Sequence, residues 1–213
     1  MNLSLNDRRE RRIATKKAHI LQTASNLFAE KGFHRTTTKD IAHAADVSEG
    51  TLYNYFEDKD DLLLGIVSYL GQSQNLADLL PQALSVDARD YLDALLHGNK
   101  EFMFSNQAMM QSVFSEILVD PVLRDRYYRE LVLPGLTMLE EHLLTRIEKG
   151  QIKPIDERHL SRILFGMLVG LFILKVIGDP WIERDWDAIV DVIGTVFFNG
   201  LSPSDKGSMP NIA

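Results

Sequence analysis

Apolar residues recur along this chain at intervals of three and four. That period argues for helices throughout. No extended alternation of β-branched and aromatic residues is present, and no Asn-Gly or Asp-Gly turn joins two such segments. Over 15–31, Ile20, Leu21, Ala24, Leu27 and Phe28 form one stripe. Gly32 supplies a left-handed stop, and Phe33 can fold back on the last turn. Thr37 and Asp40 have capping-box spacing, so a short second helix opens there. It ends by Ala45, with Ile41, Ala42 and Ala45 inward. Asp46-Val47-Ser48 is a break in which aspartate tolerates a left-handed turn. Ser48 is a good N-cap for a third helix over 49–56. A longer helix opens near Asp60, with acids at its positive end.

Further helices are predicted at about 88–105, 107–118, 121–149, 156–178 and 185–200. Pro121 suits a helix start, whereas Pro134 falls inside a periodic pattern and predicts a kink or break. Gly150, and Gly178 with Pro180, punctuate helix ends. The polar tail over 202–213 is expected to fray. Ile163–Leu174 is an apolar run of 12 residues bracketed by Arg162 and Lys175. A bilayer span needs about 20 residues, so the run reads as a buried helix of a soluble, cytoplasmic protein without a membrane partner.

Composition narrows the chemistry. The 213 residues include 45% hydrophobic and 25% charged, enough apolar material for one large or two small domains. There is no cysteine, which excludes disulfides, thiolate metal sites and a cysteine nucleophile. No apolar leader follows the charged first dozen residues. His19, His34, His43, His97, His142 and His159 show no i,i+3 or i,i+4 pairing, so no metal is expected. Phosphate-loop, dinucleotide and nucleophile-elbow motifs are missing. The chain therefore reads as a non-enzyme without a cofactor. The net charge of -7 argues against a polyanionic partner, but its distribution reverses that. Residues 1–39 hold nine Lys/Arg against three acids, +6, which leaves -13 on the remainder. Such asymmetry marks either a polyanion-binding end or a solvated basic tail.

Residues 38–59 have the helix, short turn and helix of a helix-turn-helix. Ile41, Ala42, Val47, Leu52 and Phe56 supply its core. Ser48, Glu49, Gly50, Thr51, Tyr53, Asn54 and Tyr55 are left for solvent or a partner. Hydroxyls suit phosphate oxygens, and Thr51 or Asn54 can reach base edges in a major groove. The competing possibility is a helical hairpin whose tyrosines pack on neighbours. A-x-x-L-F-A-x-x-G-F at Ala24–Phe33, T-T at Thr37–Thr38, I-A at Ile41–Ala42, V-S-x-G-T-L-Y at Val47–Tyr53, Y-F at Tyr55–Phe56, and Lys59 form an ordered set. Residues 15–65 thereby resemble the DNA-binding domain of the TetR family of transcriptional regulators.

The resemblance implies an all-α protein: a three-helix helix-turn-helix domain followed by a larger ligand-binding and dimerisation domain. It implies a DNA-binding regulator, by family default a repressor released from a palindromic operator by a small effector. Thr38 and Lys59 match phosphate-contacting positions. Ser48, Gly50, Thr51, Tyr53, Asn54 and Tyr55 match the recognition face. Lys39 joins them on charge. Asp46 stands where the family commonly has glycine, and Glu49 where a lysine is common; Glu49 is expected to lower non-specific affinity. The expected division is a flexible basic arm (1–14, with Arg8–Arg12), a DNA-binding domain (15–60), an effector and dimerisation domain (61–201) and the tail. The expected partners are double-stranded operator DNA, a second copy of the chain, and an effector of unknown identity. For the dimer interface the candidates are Ile163, Gly166, Met167, Gly170, Leu171, Ile189, Ile193 and Phe197. Phe102, Met103, Met109, Met110, Phe114 and Met138 suit either an adaptable apolar pocket for a hydrophobic effector or ordinary core. The reading from another class is a helical ligand-binding or scaffold protein whose head meets protein.

Overall fold

The computed structural model describes residues 5–73 and 87–201, which are helical and contain no strand. The tail over 202–213 lies outside the described residues. The helices are α1 (Leu5–Lys31), α2 (Thr38–Ala44), α3 (Glu49–Tyr53), α4 (Lys59–Ser73), α5 (Ala88–Ser105), α6 (Gln107–Val119), α7 (Pro121–Tyr127), α8 (Leu133–Glu148), α9 (Glu157–Val176), α10 (Trp181–Arg184) and α11 (Trp186–Leu201).

Several ends follow their local chemistry. Thr37 and Asp40 form the expected capping box. Gly32 closes α1 at φ 82°, and the Phe33 ring packs edge-on to Phe28 at 5.1 Å. Pro121 occupies the first turn of α7, capped by the Asp120 carboxylate. Pro134 breaks the pattern as predicted. It cannot donate to the Glu130 carbonyl, and the backbone widens into a π-helical turn over Tyr128–Val132 before α8.

Three boundaries differ from the sequence pattern. α1 begins at Leu5, so Arg8, Arg9, Arg11 and Arg12 lie exposed on its first turns, where a flexible arm was expected. α3 stops at Tyr53, three residues short of the expected end. The Tyr55 amide bonds to Leu52, which tightens the chain, and Phe56 turns into the core. The expected helix over 185–200 is preceded by the four-residue α10, whose Trp181 amide is capped by the Asp179 carboxylate.

Packing gathers the helices into two units. The first holds α1–α4 with α6 and α7; the second holds α5 and α8–α11. In the first, Ile20, Leu21, Phe28, Ile41, Leu52 and Ile66 are buried. Gly65 permits a close approach there: a Cβ would sit 3.1 Å from Leu21 and 3.2 Å from Phe56. In the second, Leu92, Leu96, Leu143, Leu160, Leu164 and Trp186 form the core.

The apolar run of α9 is buried on one side only. Leu160, Leu164, Leu168 and Phe172 are inward, whereas Ile163, Ile173 and Ile177 are 58%, 49% and 71% exposed. Expected burial on nearly all faces is therefore not achieved within one chain. α9 is long and apolar enough to cross a bilayer, but its i,i+4 buried stripe belongs to a helix packed on α5 and α8. Leu171, Ile189, Ile193 and Phe197 are half-buried against the core of their own unit. On α11 it is Val192 and Val196 that face outward, at 62% and 65%. The Met/Phe-rich segment divides between the units: Met109, Met110 and Phe114 lie on α6, Phe102 and Met103 on α5, and Met138 against Tyr91.

Candidate nucleic-acid interface

The turn that aims α3 is set by backbone hydrogen bonds. Val47 donates to the Ala42 carbonyl (2.9 Å) and Asp46 to His43 (3.2 Å), a Schellman closure of α2. It requires a left-handed residue, and Asp46 occupies that conformation at φ 52°. Ser48 then caps α3, accepting from the Thr51 amide at 3.1 Å and lying 2.8 Å from the Thr51 hydroxyl. Leu52 anchors the inner face, fully buried. What remains outward is Ser48, Glu49, Gly50, Tyr53 and Asn54, with Thr51 and Tyr55 half-buried. Gly50 is not demanded by packing, because a Cβ there would meet only Ser48 Oγ at 3.9 Å. It leaves the backbone open to close approach.

Thr38 and Tyr53 meet across the motif. Their hydroxyls are 3.1 Å apart, although 15 residues separate them. This clasp fixes the phenol of a half-exposed tyrosine beside the first turn of α2. Lys39 is exposed beside Thr38. Lys17 of α1 also reaches this region, its ammonium 5.4 Å from the Phe56 ring centre.

Lys59 is placed differently from a side chain projecting into solvent. Its ammonium donates to the Phe33 carbonyl (2.8 Å) and the Thr36 carbonyl (3.2 Å) and sits 4.1 Å over the Phe33 ring. Burial pulls its pKa below the ordinary lysine value, with Glu116 and Asp60 acting in the opposite direction. It ties the start of α4 to the α1–α2 turn. Lys59→Ala is accordingly expected to destabilise the chain by about 2 kcal/mol, through lost hydrogen bonds and ring contact. Denaturant unfolding beside DNA titration checks this; a lysine that served phosphate alone would leave the unfolding midpoint unchanged.

Other supporting residues carry no local sequence signal. Thr36 is fully buried, its hydroxyl donating to Gly32 (2.9 Å) and Leu27 (3.3 Å). Glu116 of α6 is largely buried and lies 3.2 Å from His34. Arg126 of α7 donates to Asp61 (3.1 Å) near the start of α4 and to Glu130 (2.9 Å). These pairings bring residues some 65 and more positions apart into one unit.

Comparison with known proteins agrees with this geometry. Residues 20–66 match the model of bacterial regulatory proteins, tetR family. The uncharacterized HTH-type transcriptional regulator YvkB of Bacillus subtilis is 27% identical over 193 residues, covering 86% of this chain and 95% of that protein. Among solved structures, the TetR family transcriptional regulator PfmR from Thermus thermophilus superposes with a TM-score of 0.57 at 24% identity, covering 83% of this chain and 97% of that one. The transcriptional regulator FadR from Bacillus subtilis, solved with stearoyl-CoA, gives 0.66 at 21%, covering 85% and 97%. With its matched N-terminal domain, its Schellman turn and capped α3, and a full-length regulator as relative, this chain belongs to the TetR family of transcriptional regulators.

Proposed function

We propose that the protein acts as a homodimeric DNA-binding regulator, a repressor that leaves a palindromic operator when a small hydrophobic effector binds. The observation that carries this reading is the outward face of α3, a short helix fixed at both ends whose exposed side chains are hydroxyl, amide and glycine. Each subunit inserts α3 into a major groove. Two half-sites then lie about one helical turn apart, roughly 34–36 Å, or further if the dimer spreads them. Thr38, Tyr53 and Lys39 supply phosphate contacts; Thr51 and Asn54 face base edges. The exposed arginines of α1 extend the basic surface.

The outer face of α9 with Val192 and Val196 of α11 supports the dimer, because an apolar stripe of this length calls for a cover. Within the candidate set, Ile163, Gly166 and Gly170 lie on that stripe. An effector site is supported by the fold shared with a regulator solved around an acyl-CoA. Effector binding shifts the population of dimers toward one whose heads no longer match the half-site spacing, which requires unequal affinity for the two states. A DNA partner places the protein in the cytoplasm, without catalysis or cofactor.

Titration with genomic DNA fragments across a salt series tests the reading. Log affinity should fall linearly with log salt, by about 0.9 per phosphate contact. Affinity that ignores salt would instead favour a protein partner. Glu49→Lys should raise affinity for random duplex and steepen that slope by up to about two per dimer, one for each new contact. An unaltered slope would place residue 49 away from the phosphates.

A further inference from the structure

The second unit contains a half-open cleft of about 400 Å³, counting its mouth, between α5, α8, α9 and α11. Its walls are mostly apolar: Leu92, Leu95, Leu143, Leu164, Phe197 and Phe198. The volume lies at the lower end of the usual range for small-ligand sites. The exceptions to the apolar lining are Tyr91 and Arg146.

These two belong to a buried polar group assembled from α5 and α8. Tyr91 stacks on the His142 imidazole, ring centres 5.5 Å apart and 9° from parallel. The Arg146 guanidinium carbon lies 5.0 Å over the Tyr91 ring, and its Nη1 donates to Gln151 at 2.7 Å. Tyr91, His142 and Arg146 are all more than nine-tenths buried. The Tyr91 hydroxyl and His142 Nδ1 have no hydrogen-bond partner among the described residues. Leaving a buried hydroxyl unsatisfied is costly, and native proteins seldom do so without a reason.

Placing a guanidinium beside such a wall has a chemical consequence. A cation taken out of water favours an anion that brings its own acceptors, and a planar guanidinium matches a carboxylate. Burial pushes the Tyr91 phenol up to about 12, so it stays a donor. Burial, with the Arg146 charge, pulls His142 downward, so the imidazole stays neutral. Among the charged and hydroxyl groups of the lining, then, both present N–H or O–H.

We propose that this cleft binds an amphipathic carboxylate, its apolar body against the leucines and Phe197–Phe198 and its carboxylate on Arg146 and the Tyr91 hydroxyl. This deepens the effector-responsive reading and rests on it for its regulatory meaning. None of the Met/Phe residues singled out by composition lines the cleft.

The test is direct binding to the full-length protein, in the absence of DNA. Octanoate, decanoate and 4-phenylbutyrate are each compared with their methyl esters by calorimetry and thermal shift. Each acid is expected to bind at least tenfold more tightly than its ester, although the ester is the more hydrophobic. Arg146→Met should abolish that preference, and Tyr91→Phe should reduce it several-fold while leaving the fold intact. Esters that bind as well as acids, a preference that survives both substitutions, or no binding by any acid at millimolar concentration would each overturn the assignment. Operator release is read separately. Acids that bind without weakening DNA affinity would uphold the cleft and refute its role in regulation. Release by other compounds, with no acid bound, would do the reverse.

Discussion

Replacing Gly170 with leucine is expected to produce a folded single chain that no longer dimerises. Gly166 and Gly170 sit on the outer face of α9, and a Cβ at either would meet nothing within 4 Å. Within the chain neither glycine is required, and each costs its helix about 1 kcal/mol relative to alanine. Both lie in the exposed stripe with Ile163, Ile173 and Ile177, which points to a second helix passing close over this face. Across a two-fold axis the substitution is present twice, so an overpacking cost of about 1–3 kcal/mol per site doubles. The dimer constant should weaken by at least about a hundredfold, while unfolding of the single chain is unchanged or slightly harder. Light scattering across a dilution series, paired with denaturant unfolding, measures both. Operator binding should fall with the dimer, because one head holds only one half-site. A leucine variant that remains dimeric would move the interface elsewhere. Partition of the wild type into lipid vesicles would assign the stripe to a membrane instead.

Tyr53→Ala is expected to remove most DNA binding with little change in stability. The ring is 49% exposed and its hydroxyl reaches only the Thr38 hydroxyl, so the single chain loses about 0.5 kcal/mol or less. At the phosphate backbone the loss is larger. A hydrogen bond to a charged oxygen contributes about 1.5–3 kcal/mol, and the dimer loses two, which gives a hundredfold or greater loss of affinity. That loss should be similar for operator and random duplex, because phosphates carry no sequence information. Asn54→Ala should behave oppositely, keeping random-duplex affinity and relaxing choice at one base position. Competition between operator and random fragments distinguishes the two. If Tyr53→Ala binds as the wild type does, α3 does not enter the groove in the proposed orientation.

Much of the interface is legible in the amino-acid sequence. The capping box, the Asp46 turn, the Ser48 cap and the buried Leu52 each depend on atoms within five residues of one another. Hydrogen bonds of that span are written in short sequence patterns. Lys59 is not legible in the same way. Its ammonium binds carbonyls 23 and 26 residues away, and only the path of α1 and α2 brings them within reach. Nor is the length of α3, which ends where Phe56 enters a core built by α1 and α4.

The same distinction separates the two halves of the molecule. Periodicity alone determined that this is a helical protein, where most helices begin and end, and that residues 38–59 form a helix-turn-helix. Rotation of each helix about its axis decided the rest. On α11 a stripe of Ile189, Val192, Ile193, Val196 and Phe197 is apolar on two sides; packing sent Ile189, Ile193 and Phe197 inward and left Val192 and Val196 outside. Tyr91, His142 and Arg146 show no relation along the chain, and become one buried group because α5 and α8 share a core. A helix's local hydrogen bonds are satisfied at any rotation, so only the burial of side chains from distant segments can choose among them.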